Sequence, residues 1–232
     1  KLQAVCKRIE VIPSLLWLAK DRKHLNRWLD VLALWGASLS GLAFIQGGAS
    51  AFHLLVMWVL YHSINSVGQS WYAFGWESQL LETGLLAVLA APAGLFGCSS
   101  VGSALPVGAA PPLIAMIAFR WLAFRIMLGA GLIKLRGDGC WRDLTAMCHH
   151  IETQPVPNQF SKMFHSLPRS VQLFSTASNH IFELFLPWLL LLPLRGAQTA
   201  FGVMYIFFQL TLILTGNLSF LNWLTIVPAL WC

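Results

Sequence analysis

FRWLAFRIMLGAGLIKLRGDGCWRDLTAMCHHIETQPVPN, residues 119–158, is the stretch from which the fold is read. Its first half is apolar enough to lie in a membrane, yet it carries Arg120, Arg125 and Lys134. A charge at bilayer depth costs about 2.5–3.5 kcal/mol on insertion scales and normally faces protein or a water-filled cavity. Helical geometry sorts the three. Positions 120, 127, 131 and 134 recur at steps of seven, four and three, so Arg120 and Lys134 share a face with Gly131. Arg125 points away from it. Gly129, Ala130 and Gly131 remove bulk and let a neighbour approach the backbone closely. Two readings follow. Either the basic residues pair with acids on neighbouring helices or snorkel at helix ends, or they form a polar site inside a bundle with Lys134 at its mouth.

The second half changes character. Lys134, Arg136, Asp138, Arg142 and Asp143 surround Gly137 and Gly139, and ETQPVPN (152–158) follows. Pro155 and Pro157 push their predecessors towards extended backbone, so no single helix runs through. Residues 136–158 are expected to form an ordered, non-helical cap anchored by Arg136, Asp138, Trp141, Arg142, Asp143 and Glu152.

Outward from this stretch the chain reads as an all-α, multi-pass membrane protein: 57% of its 232 residues are hydrophobic and 10% are charged. Eleven Trp, many beside predicted helix ends, fit interfacial belts. The net charge of +6 is concentrated: seven of the fifteen Lys and Arg lie before residue 28. The positive-inside rule makes that end cytoplasmic, and nucleic-acid binding is not needed to explain the charge. No cleavable signal pattern is seen, and the ends of the sequence read as those of a piece of a longer protein. The five Cys (6, 98, 140, 148 and 232) show no zinc spacing; Cys140 and Cys148 read as free thiols, with a disulfide as the alternative. No metal or cofactor is implied.

The expected plan has six or seven membrane segments, at least five of them spanning, in four parts. Residues 1–27 are basic, with an interfacial or re-entrant helix broken by Pro13, and 28–135 hold four spans near 28–45, 49–67, 78–97 and 112–135. Residues 136–178 are the polar loop and an amphipathic segment, and 179–232 hold spans near 180–194, 197–214 and 218–232. The stretch 92–112, rich in Gly, Ala, Ser and Pro, is a connector. Glu82 lies at least a turn inside the third span, so Arg120, Arg125 and Lys134 are its expected partners in a buried ionic cluster. His180 and Glu183 are spaced for an i,i+3 pair. Asn217 heads a glycosylation-type sequon, but flanking spans deny a glycosyltransferase clearance. There is no P-loop, HExxH or GxSxG.

GWESQLLETG (75–84), FRIMLGAGLIKLRGDGCWRDLT (124–145), ETQPVPN (152–158), SNHIFELFLP (178–187) and GNLSFLNWLTIVP (216–228) together resemble the lipase maturation factor family, and more the first of its two paralogous branches. The resemblance covers roughly residues 55–230. It implies a multi-pass protein of the endoplasmic reticulum membrane that assists folding and dimer assembly of secreted lipases. Lipases would be its clients and membrane lipids its surroundings. A shorter element, Ala130-Gly131-Leu-Ile-Lys134 followed by a Trp, is similar to part of the membrane domain of vitamin K-dependent γ-glutamyl carboxylase, where the matching lysine acts as a base. That likeness implies a shared fold more than a shared reaction. Two functional expectations result: a non-enzymatic, chaperone-like assembly factor, and an integral membrane enzyme or lipid- or quinone-binding protein built on the charged cluster.

Overall fold

A computed structural model describes residues 13–19, 22–72, 74–92, 111–154 and 156–232, with nothing but helix and loop among them. Lys1, Cys6, Lys7, Arg8, Lys20, Cys98, Pro155 and most of the 92–112 connector lie outside the described residues. Two compact units, 1–115 and 116–232, divide the chain.

In the N-terminal unit, helix α1 (Arg22–Gln46) ends in a left-handed turn at Gly47, φ +69°, a conformation that glycine adopts without a Cβ penalty. Helix α2 (Ala51–Asn65) starts on Ser50, whose hydroxyl accepts the His53 N–H at 3.2 Å. Helix α3 (Gly75–Ala90) returns beside it. The short 3-10 turn Leu15–Leu18 is pinned to α2 through Ser63, whose hydroxyl accepts the Leu15 N–H at 3.0 Å. Leu16, Leu32 and Leu60 close a small core around it. His53 is fully buried, with Nε2 3.0 Å from the Leu39 carbonyl, which makes it a bundle-facing hydrogen-bonder. Tyr61 donates to Glu77, and Trp58 Nε1 donates to the Leu81 carbonyl at 2.7 Å.

The C-terminal unit is built on α4 (Leu113–Arg136). Two helical turns follow, α5 (Gly139–Arg142) and α6 (Met147–His150). The 136–158 segment does break the long helix, but it is not the non-helical cap expected. Asp138 caps α5 by accepting the Cys140 N–H at 3.1 Å, so glycine and aspartate restart a helix where the sequence reading saw only loop. Leu144 holds a left-handed φ of 61° between the two turns. Next come α7 (Ser161–His165) and α8 (Arg169–His180). A π turn (Ile181–Phe185) and a 3-10 turn (Leu186–Leu191) continue α8. Pro187, with no N–H to give, sits at the junction where this ladder changes register. Helices α9 (Arg195–Thr215) and α10 (Leu221–Ala229) complete the unit. Phe124, Met127, Leu190, Phe201, Tyr205 and Phe208 form its core.

Burial is inverted in places, as expected where lipid replaces water. On α8 the buried residues are Gln172, Thr176, Asn179 and His180, while Phe174 is 71% exposed. On α1, Phe44 is 88% and Ile45 83% exposed. Among the described residues three helices are long and apolar enough to cross a membrane: 24–46, 113–136 and 195–215. The other expected spans are shorter or broken. Helices α2 and α3 have 15 and 16 residues. At 1.5 Å per residue they reach about 22–24 Å, short of a hydrocarbon core of about 30 Å.

Candidate functional site

The charged residues of α4 take the directions the helical wheel requires. Gly131 is buried, Lys134 is half-buried and Arg125 is exposed. The Arg120 Nε donates to the Trp231 carbonyl at 2.9 Å, tying α4 to the end of α10. Lys134 forms the centre of the site. Its ammonium pairs with Glu183 on the π turn and donates to Asn179 Oδ1 at 2.6 Å, and it lies 4.9 Å from the centre of the Trp141 ring. The Trp141 carbonyl in turn lies 2.8 Å from His180 Nε2. A single cation is therefore enclosed by a carboxylate and an amide from one helical run and an indole from a second, separate part of the chain.

This enclosure depends on Gly131. A Cβ there would lie 2.6 Å from Leu184 Cδ2 and 3.1 Å from Glu183 Cβ, so only glycine lets α4 meet the π turn this closely. Asn179 and Glu183, four residues apart on one continuous helical run, share the face that meets Lys134. His180 and Glu183 have different hydrogen-bond partners, the Trp141 carbonyl and Lys134. Glu183 Oε2 and His180 Nδ1 are buried with no hydrogen-bond partner.

Lys134 thus takes Glu183 as its acid, a partner that the sequence reading assigned elsewhere. Glu82 belongs to the other unit, and its expected contact with Arg120, Arg125 or Lys134 stays a proposal. The signal for Glu183 was present: an acid in the apolar run IFELFLP, four residues before a proline. Trp141 and Asp138 act as anchors of the loop, and Arg142 Nη1 donates to the Leu135 carbonyl at 3.4 Å. Glu152 lies 3.6 Å from both His149 Nδ1 and His165 Nε2. Arg136 and Asp143 are exposed. Cys140 and Cys148 are free thiols, and among the described residues no cluster of His, Cys, Asp or Glu could hold a metal.

Asn158 was missed as a functional anchor. Its amide donates to the carbonyls of Ile213 at 2.9 Å, Leu214 at 2.8 Å and Gly216 at 3.2 Å, capping the end of α9. Gln154 accepts the Asn217 N–H at 3.1 Å, so ETQPVPN and GNLSF meet. Asn217 is exposed beside this cap, and its Oδ1 accepts the Ser219 N–H at 3.1 Å.

Residues 1–232 match the family model described as the lipase maturation factor transmembrane domain. Lipase maturation factor 1 of Bos taurus is 50% identical over 220 residues, covering 95% of this chain and 38% of the relative. The Homo sapiens lipase maturation factor 1 is 49% identical over 221 residues, with the same 95% and 38% coverage. Lipase maturation factor 2 of Xenopus laevis is 36% identical over 219 residues, covering 93% of this chain and 30% of the relative. No solved structure matches. The chain spans well under half the length of these relatives. With a family model matched from end to end and half of its residues shared with a curated relative, the chain belongs to the lipase maturation factor family.

Proposed function

We propose that this chain is the membrane domain of a non-enzymatic, chaperone-like factor of the endoplasmic reticulum membrane that supports folding and assembly of secreted lipases. Family membership supports the lipase clients. The engagement of Lys134 carries the non-catalytic reading. Its ammonium is held by Glu183, Asn179 and the Trp141 ring, an arrangement that ties the helices together and commits the Lys134 amine. In this reading α2, α3, the α8 to Leu191 run and α10 also enter the bilayer, giving six or seven membrane segments with the basic end cytoplasmic.

A second reading, a membrane enzyme or a lipid- or quinone-binding protein, is favoured by one observation: Glu183 Oε2 is buried without a partner. The two separate experimentally. The full-length protein carrying Lys134→Ala is co-expressed with a dimeric secreted lipase, and its abundance, protease resistance and active lipase output are compared with wild type. Removing one member of a buried pair costs about 3–5 kcal/mol in soluble proteins, so active lipase should fall in proportion to folded protein. A Lys134→Ala protein as abundant and protease-resistant as wild type, with lipase activity gone, would make Lys134 a site residue and bring the enzyme reading forward.

A further inference from the structure

We propose that the C-terminal unit holds a binding site for one uncharged single-chain amphiphile, chemically of the monoacylglycerol type, in the cavity between α8, α9 and the 147–154 segment. The cavity measures about 410 Å³, within the range of about 300–1,000 Å³ for small-molecule sites. Its ends differ chemically. At one end Phe182 stacks on Phe208 with centroids 4.7 Å apart. At the other lie Gln154 and Thr215, where the Gln154 amide meets the chain just after α9. Between them sit His150 and Ser178, which make no side-chain hydrogen bond to the described protein and line the cavity.

This polarity gradient fits a molecule with a hydrocarbon tail and a small hydrogen-bonding head. The tail would lie towards the stacked phenyls, and the head would reach the free imidazole and hydroxyl. The head must be uncharged, because no Asp, Glu, Lys or Arg lines the cavity. The nearby cation, Lys134, is already paired with Glu183. A carboxylate or phosphate placed here would lose water without gaining a counter-charge. His150 is itself kept neutral: burial, and then the Lys134 charge, push its imidazole below the ordinary range. The bilayer is the source of the ligand. Phe174 and Phe207 belong both to the cavity wall and to the outer surface, where they are 71% and 67% exposed. In the cavity of the N-terminal unit, about 490 Å³, two of the polar wall groups, Tyr61 and Trp58, are engaged by Glu77 and the Leu81 carbonyl, and Tyr72 is the third.

The test uses full-length protein in dioleoylphosphatidylcholine vesicles and a monoacylglycerol bearing a diazirine in its acyl chain. Photolabelling followed by peptide mapping should mark 174–182 and 207–212. Unlabelled monoolein should displace the label at least tenfold better than oleate or hexadecane. Ser178→Leu, which fills the middle of the cavity, should cut labelling at least fivefold; Ser175→Leu on the same wall serves if that protein fails to accumulate. Label spread evenly over exposed helices, including α1, would overturn the proposal. So would equal competition by oleate or hexadecane, or wild-type labelling in a folded leucine variant.

Discussion

Gly131→Ala tests the packing on which the whole site rests. In an open helical position the change gains about 1 kcal/mol, because alanine is the better helix former. At Gly131 the new methyl would stand 2.6 Å from Leu184 Cδ2, 2.8 Å from its Cγ and 3.1 Å from Glu183 Cβ. Leu184 can rotate its tip away, but its Cγ and the Glu183 Cβ lie next to the backbone of the π turn. Overpacking of this kind costs about 1–3 kcal/mol, so after the gain the net loss should be about 0–2 kcal/mol, which puts Gly131→Ala about 1–3 kcal/mol below an unhindered Gly→Ala change. Gly129 supplies the control, two residues away on the same helix, where a Cβ meets nothing within 4 Å. Gly129→Ala should be neutral or stabilising by up to about 1 kcal/mol. The assay is thermal unfolding of the detergent-solubilised full-length protein, read by intrinsic fluorescence and protease resistance. Gly131→Ala should melt several degrees below Gly129→Ala, and Gly129→Ala no lower than wild type. If the two variants behave alike, α4 does not meet the π turn through Gly131, and the geometry around Lys134 is wrong.

Other outcomes follow from the same contacts. Asn158→Ala removes the amide that caps three carbonyls at the end of α9, and should cost about 1–3 kcal/mol and speed proteolysis within 150–160, checked by limited digestion. His150 has a folded-state pKa below its unfolded value, held there by burial and then by Lys134. Above the unfolded value of about 6.5 both states are neutral; as pH falls through it, the unfolded chain takes up a proton first and stability is lost. His150→Gln should therefore flatten the decline in melting temperature between about pH 7 and pH 5.5, and an unchanged slope would contradict this. Arg120→Met should loosen the end of α10, since its Nε bond to the Trp231 carbonyl is lost, and hydrogen exchange over 221–231 should rise.

What the sequence made legible was the part governed by local period. Steps of seven, four and three on α4 correctly placed Arg120, Gly131 and Lys134 on the inward side and Arg125 outside. Charge in an apolar helix correctly required a buried acid. The identity of that acid was not legible, because Lys134 and Glu183 are 49 residues apart and helix-to-helix pairing has no local signature. The i,i+3 spacing of His180 and Glu183 did not name their principal partners either, the Trp141 carbonyl for one and Lys134 for the other. Asn158 failed to stand out for a similar reason. Its three acceptors lie 55 to 58 residues along the chain, and nothing in ETQPVPN names them. Hydropathy alone did not give helix length: three of the expected membrane segments are helices long enough to span, while in α2, α3 and 180–194 the apolar run is longer than the helix. The inverted face of α8 explains why 159–178 read as a surface segment: its polar residues point inwards and Phe174 outwards.

The central claim is that Lys134 and Glu183 hold the bundle together and perform no chemistry. Replacing both with methionine in the full-length protein removes the pair without leaving either charge unsatisfied, and such replacements in soluble proteins are often neutral or stabilising. The decisive measurement is active secreted lipase per unit of folded factor, taken for Lys134→Met, Glu183→Met and the double variant. Each single variant should lose abundance, and the double variant should recover abundance and lipase output together, with a ratio equal to wild type. A double variant that folds to wild-type levels while lipase output stays absent would contradict the account.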